Sequence, residues 1–136
     1  MNAIVVYYSF TGNTKLLAEA KAEELGAPIC QVVDKKKPGA LKSFLLCPKA
    51  MRMSPTPVLP ISANLAAFDT IIIMAPVWAG HPAPAAINIF NALPAGKEVE
   101  VYLVSASGKT NIRQKIEANV ASCGCTLTKL ENIGKK

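Results

Sequence analysis

Histidine and tryptophan each occur once in this 136-residue chain, as His81 and Trp78. One histidine beside four scattered cysteines gives no set of ligands with zinc-site spacing, so no metal centre is expected. Long apolar runs are also missing. None approaches the roughly 20 residues that cross a bilayer, and no membrane association is expected. The apolar run at Ala3 to Tyr8 is short and has no basic lead, unlike a secretory signal. These absences read as a cytoplasmic protein. In that compartment disulfides are not expected, and Cys123-Gly124-Cys125 is not a Cys-x-x-Cys motif. Cys30, Cys47, Cys123 and Cys125 are therefore read as free thiols. The sequence shows no Ser-His-Asp set and no paired carboxylates, so no catalytic side chain is assigned.

Acidic residues are scarce. Nine Asp and Glu stand against fifteen Lys and Arg, a net charge of +6. Part of the surplus is local, in Lys35-Lys36-Lys37 and Lys135-Lys136. No aromatics interleave these lysines and no nucleic-acid motif accompanies them, so nucleic-acid binding is not expected. A solvated basic turn accounts for the cluster, and the charge favours docking of acidic partners. The chain is 51% apolar and 18% charged, which suits one folded domain over residues 1–136 with a real core.

Ala3 to Tyr8 is continuously apolar and largely β-branched or aromatic, as in a strand buried on both faces. A helix is expected from about Asn13 to Leu25, stopped by Gly26. Its apolar stripe of Leu17, Ala18, Ala22 and Leu25 is interrupted by Lys21. Ile29 to Val33 reads as a second strand and Asp34 to Gly39 as a turn. Leu41, Phe44 and Leu45 have helical spacing up to Pro48, and Met51 to Pro60 is a proline-rich loop. Thr70 to Ala75 is a third buried strand, and Pro76 to Pro82 a loop. Ala86, Ile89, Phe90 and Leu93 form one helix face, entered through Pro82 or Pro84. Val99 to Val104 is a fourth strand, Ile112, Ile116 and Val120 mark another helix, and Thr126 to Leu130 is a fifth strand suited to a sheet edge. Alternating strands and helices predict an α/β fold: a parallel, doubly wound sheet with right-handed crossovers.

Ser9-Phe10-Thr11-Gly12-Asn13-Thr14 lies where the first strand turns into the first helix. A helix start leaves N–H groups unpaired and carries partial positive charge, so hydroxyls converging there suit a phosphate. A plain helix cap is the other reading, but a cap needs only one such side chain. This Ser-x-Thr-Gly-Asn-Thr turn resembles the phosphate loop of the flavodoxin family, and Pro76-Val77-Trp78 resembles the family's Pro-x-Trp loop. The resemblance runs from Ala3 to about Leu130. It implies a flavodoxin-like sheet of order 2-1-3-4-5 and FMN as cofactor, bound at the carboxyl ends of the strands where the winding reverses.

Cofactor contacts are then expected from three loops: Ser9 to Thr14; Pro76, Val77, Trp78, Ala79, Gly80 and His81; and Ser105, Ala106, Ser107 and Gly108. Trp78 is expected to stack on the flavin, although a loop tryptophan also packs on its own helix. His81 either donates to the flavin's N1–O2 edge or faces solvent. Ser105 to Gly108 is either the flavin's pyrimidine-side loop or an ordinary strand-to-helix turn. Where many relatives have a second tryptophan followed by glycine, this chain has Ala79 then Gly80. A positive-φ peptide flip toward reduced flavin N5 is thus costlier at Ala79, whereas Gly80 permits one. No aromatic between Ser105 and Asn111 covers the outer flavin face, and a positive net charge is unusual for electron-transfer flavodoxins. The resemblance implies electron transfer between redox partner proteins. The alternative is an FMN-dependent NAD(P)H or quinone oxidoreductase, which the uncovered face favours. A phosphate-accepting receiver domain on the same fold would need carboxylates at the strand ends, and none stands beside Tyr8-Ser9 or Ala75-Pro76.

Flavodoxins usually end with a helix after the fifth strand, and after Leu130 only Glu131 to Lys136 follow. The first helix is then nearly alone on its face of the sheet. Exposed apolar surface around Val101 and Leu103, covered either by a homodimer or by a rearranged C-terminus, is expected.

Overall fold

The computed structural model describes residues 2–9, 12–34, 58–61, 63–78, 81–105 and 113–134, with the backbone alone at 78, 105 and 134. Its elements are β1 (Ala3–Tyr7), α1 (Asn13–Leu25), β2 (Ile29–Gln31), a 3-10 turn (Leu65–Ala67), β3 (Thr70–Trp78), β4 (His81–Pro82), α2 (Pro84–Asn91), β5 (Glu98–Ser105), α3 (Arg113–Ser122) and β6 (Thr126–Gly134). The sheet runs β2-β1-β3-β5-β6, every neighbouring pair parallel, and β4 folds back antiparallel on the end of β3. The five strands of this parallel path thus keep the expected order. The helix expected near Leu41 and most of the proline-rich loop lie outside the described residues.

The apolar runs take the central places. All five residues of β1 are buried, as are Ile71, Ile72, Ile73, Met74 and Ala75 of β3. Alternate residues then separate into two layers. Ile4, Val6, Ile71, Ile73, Val99, Val101 and Leu103 face α2 and α3, which contribute Ala86, Ile87, Ile89, Phe90, Ile116 and Val120. Ala3, Val5, Tyr7, Ile72, Met74 and Tyr102 face α1, which contributes Ala18 and Ala22. Burial of each large aliphatic or aromatic side chain in the first layer stabilises the fold by about 1.5–3 kcal/mol. Pro84 opens α2 in its first turn, where a missing N–H costs nothing.

Four expectations are corrected. Pro76 to Pro82 is not simply a loop. Strand β3 continues through Trp78 and pairs Val77 with Pro82 and Trp78 with His81, held also by the Ala83 N–H donating to the Pro76 carbonyl at 2.9 Å. The last strand runs past Leu130 to Gly134, because Glu131 to Gly134 continue the register with Tyr102 to Ser105. Val101 and Leu103 are not exposed. Their register with Ile73 and Ala75 turns them into the α2/α3 layer, where both are fully buried. Leu25 does not join the stripe of α1 and is exposed, while Thr14, Ala18 and Ala22 form its buried line.

The α1 side of β5 and β6 carries Glu100, Tyr102, Lys129 and Glu131, with Ile133 packed at its end. Tyr102 is 2% exposed, and its phenol donates to Glu100 Oε1 at 2.7 Å. The ammonium groups of Lys21 and Lys129 stand 5.0 and 5.9 Å from the centre of its ring. Lys21, which interrupts the stripe in the sequence, therefore has a partner: its charge meets an aromatic face.

Among the described residues Cys30, Cys123 and Cys125 form no disulfide. Cys123 Sγ donates to the Phe90 carbonyl at 3.3 Å and Cys125 Sγ to the Pro94 carbonyl at 3.0 Å, so both tie the strand-approaching turn to the end of α2. Cys47 lies outside the described residues.

Candidate functional site

The turn from β1 into α1 is built around Gly12. Its φ of 100° lies in the left-handed region, where a side chain would be strained. Its N–H donates to Ser9 Oγ at 3.0 Å, and its carbonyl accepts the first helical bond, from Leu16 N–H at 3.2 Å. Ser9 thus folds the turn back on itself, and Gly12 lets it continue into the helix. A Cβ placed on Gly12 would meet nothing within 4 Å, so the turn opens onto free space. No acidic residue occupies the first turn of α1, and no side chain caps it. An anion can approach such a helix start without meeting a competing carboxylate. Thr14 is 2% exposed and heads the buried line that continues through Ala18 and Ala22. It therefore belongs to the packing of α1 as well as to the turn. Phe10 and Thr11 lie outside the described residues.

The second loop comes off the neighbouring strand. β1 and β3 pair in parallel from Ala3–Thr70 to Tyr7–Met74, and Tyr8 N–H donates to the Met74 carbonyl at 3.1 Å. The end of β3 therefore stands beside the turn at Ser9. Val77 packs against the α2/α3 layer. The backbones of Trp78 and His81 are paired, with residues 79 and 80 between them. Ala79 and Gly80 lie outside the described residues.

His81 is partly buried, and its Nε2 stands 3.0 Å from Lys115 Nζ on α3. An ammonium only donates, so in this contact Nε2 is the acceptor. This places a lysine charge beside the Trp78 hairpin. Lys115 had not been singled out in the sequence. It is 34 residues from His81, and only the crossover through β5 brings it there.

The third loop leaves β5 at Ser105, whose backbone pairs with Gly134. Ala106, Ser107 and Gly108 lie outside the described residues. On the far flank, the Tyr8 phenol donates to Asp34 Oδ2 at 2.7 Å. Burial, and then this carboxylate, push the Tyr8 phenol far above its ordinary range. Asp34 also forms an antiparallel bridge with Val58, tying the chain after β2 to the segment ahead of β3.

Two surface grooves, of about 400 and 280 Å³, lie along residues 58–66 and the end of α2 and share no residue with these loops. Among the described residues no three His, Cys, Asp or Glu side chains converge as a metal site, and no helix is long and apolar enough to cross a membrane.

No family model and no curated protein matches the chain. Solved structures do. A Lactobacillus acidophilus flavoprotein in complex with FMN superposes with a TM-score of 0.77 at 20% identity, over 95% of this chain and 91% of that one. A candidate flavoprotein from Bacteroides uniformis gives 0.71 at 27% identity, over 95% and 88%. Flavodoxin 2 from Bacillus cereus gives 0.57 at 17% identity, over 98% and 86%. This chain has the flavodoxin-like fold. Ser9, the Trp78–His81 pairing and Ser105 stand at the carboxyl ends of β1, β3 and β5, the edge at which open α/β sheets bind ligands.

Proposed function

We propose that this flavodoxin-like chain binds FMN and passes electrons between redox partner proteins. The observation that carries the proposal is the turn at Ser9 to Thr14. It is rich in hydroxyls, opens over a left-handed Gly12, and enters a helix whose first turn has no carboxylate. Those features fit a phosphate dianion. Ser9, Thr11, Asn13, Thr14 and the amide of Gly12 would hold it, with Phe10 in the same turn. Pro76, Val77, Trp78, Ala79, Gly80 and His81 would flank the ring system, and Ser105, Ala106, Ser107 and Gly108 would meet its pyrimidine end. The bound flavin supplies the redox chemistry, while the chain binds and orients it and tunes its electrostatics. The likeness to a flavoprotein complexed with FMN supports this reading. With a net charge of +6, the partners are acidic at their docking faces.

A flavin titration followed through protein fluorescence tests the proposal. Trp78 is the sole tryptophan, so stacking on the flavin quenches the whole indole signal. Thr11→Ala removes one hydroxyl donor to a dianion, worth about 1.5–3 kcal/mol. Affinity should fall about ten- to hundredfold. Equal emission with and without FMN, or unchanged affinity in Thr11→Ala, refutes the assignment.

The FMN-dependent NAD(P)H or quinone oxidoreductase remains the second reading. Two features favour it: the absence of aromatics from Ser105 to Asn111, and the lysine charge beside His81, which suits an anionic substrate. Rapid reduction of the bound flavin by NADPH alone distinguishes it from the electron carrier.

A further inference from the structure

The geometry points to a symmetric dimer in which β6 pairs with β6 of a second copy, antiparallel and centred on Leu130. Strand β6 lies at the end of the sheet path, and among the described residues it pairs with β5 alone. It spans nine residues, as long as the central β3, so it offers a long row of backbone groups to an added strand.

The charges on β6 choose the partner. Lys129 and Glu131 flank Leu130 and point to the same face as Tyr102, because they pair with Glu100 and Tyr102. Within one chain they form only a loose bridge of 3.8 Å, with side chains 49% and 50% exposed. Antiparallel pairing about Leu130 sets each Lys129 opposite Glu131 of the second copy, and each Glu131 opposite its Lys129. Both faces of the sheet are preserved by that two-fold axis, so the opposed charges lie on one side and the two Leu130 side chains meet on the other. Leu130 is only partly buried against the α2/α3 layer in one chain, and the pairing covers it further. A slip of one residue puts charged side chains opposite the apolar face, so the register is specified. Val101 and Leu103, on the same face as Leu130, are already buried within one chain, so the pairing rests on the edge of β6 and not on them. The inference is independent of FMN binding.

Sedimentation equilibrium tests it on the whole chain. A species of twice the 14.4 kDa chain mass is expected at micromolar concentration. Lys129→Glu sets four carboxylates together, and Glu131→Lys four ammonium groups. Each change turns two attractions into two repulsions and should weaken the dimer by at least about tenfold. An equimolar mixture of the two variants restores both pairs, so heterodimers should form where neither variant self-associates. The double swap K129E/E131K should likewise dimerise. Both side chains are half exposed, and unchanged circular dichroism shows that the variants fold. A monomeric wild-type chain at micromolar concentration overturns the proposal. So do single variants that dimerise as wild type does, or a mixture that does not associate.

Discussion

The two faces of the sheet solve the same problem with different chemistry. Under α2 and α3 the strands present Ile4, Val6, Ile71, Ile73, Val99, Val101 and Leu103, and the helices answer with Ile87, Ile89, Phe90, Ile116 and Val120. That layer is held by area and close packing. Under α1 the helix offers Ala18 and Ala22 with Leu17 beside them, and past α1 the strands carry Glu100, Tyr102, Lys129 and Glu131, with Ile133 packed at the end. There one buried aromatic is saturated by its neighbours: a carboxylate takes its proton, and two ammonium groups stand near its ring. A sheet face with only one described helix over it thus need not expose aliphatic surface. It can be closed by charge and aromatic contacts, which satisfy the strand while leaving it wet.

The comparison breaks most sharply in the aliphatic layer. Phe90 is fully buried on α2, facing the middle of the sheet. Phe90→Ala should cost about 3–5 kcal/mol, since the lost transfer energy is joined by a cavity that close packing cannot refill. Urea unfolding should show the midpoint falling with little change in slope. A cost below about 1 kcal/mol would mean that this layer collapses around the gap and is not the rigid one.

How much of this was legible depends on what sets each feature. The strand runs at Ala3 to Tyr8 and Thr70 to Ala75, and the face Ala86, Ile89, Phe90 and Leu93, are local patterns, and the structure keeps them. In β5 the pattern was also present: Glu98, Glu100 and Tyr102 alternate with Val99, Val101 and Leu103. The apolar half was expected to face the sparse side, but register with β3 turns it the other way. Sheet register is a non-local property and no short window contains it. The irregularity between Val99 and Glu100, where Thr128 is skipped, shifts the alternation of β6 in the same hidden manner. At the candidate site, Ser9 to Thr14 and Pro76 to Trp78 were recognisable as motifs. Lys115 was not, because its meeting with His81 exists only after β5 and α3 are placed.

A second test separates the two faces by pH. Tyr7, Tyr8 and Tyr102 are the protein's only tyrosines, and all three phenols are raised above their ordinary value. For Tyr7 the causes are burial, then Glu19 and Cys30. For Tyr8 they are burial and then Asp34, and for Tyr102 burial and then Glu100. A raised phenol favours the protonated, folded state. This stability is fully present below the unfolded phenol's value of about 10 and is lost as pH rises from there toward the folded values. Tyr8 and Tyr102 should therefore contribute no tyrosinate absorbance in the folded protein near pH 11 and should ionise together with unfolding. Tyr102→Phe removes the only phenol beyond α1, so it should move alkaline unfolding to higher pH. A phenol that ionises near pH 10 without loss of structure would show that its surroundings are open to water.

The smallest expected effect concerns Lys21. Its ammonium stands 5.0 Å from the centre of the Tyr102 ring, nearer than that of Lys129. Lys21→Met keeps an unbranched stem and deletes the charge. The loss should be about 0.5–1 kcal/mol, the range for a cation over an aromatic ring at an accessible site. Alone, a change of that size has several explanations, since Lys21 also adds a charge to α1. Tyr102→Leu in the same cycle separates them: it retains an apolar side chain on β5 and removes the ring that attracts the cation. If the ring is the partner, Lys21→Met should cost nothing measurable in the Tyr102→Leu background, and the difference between backgrounds is the coupling itself. An equal cost in both backgrounds would place the contribution of Lys21 in its stem, and the α1 face would then be a thinner version of the aliphatic one.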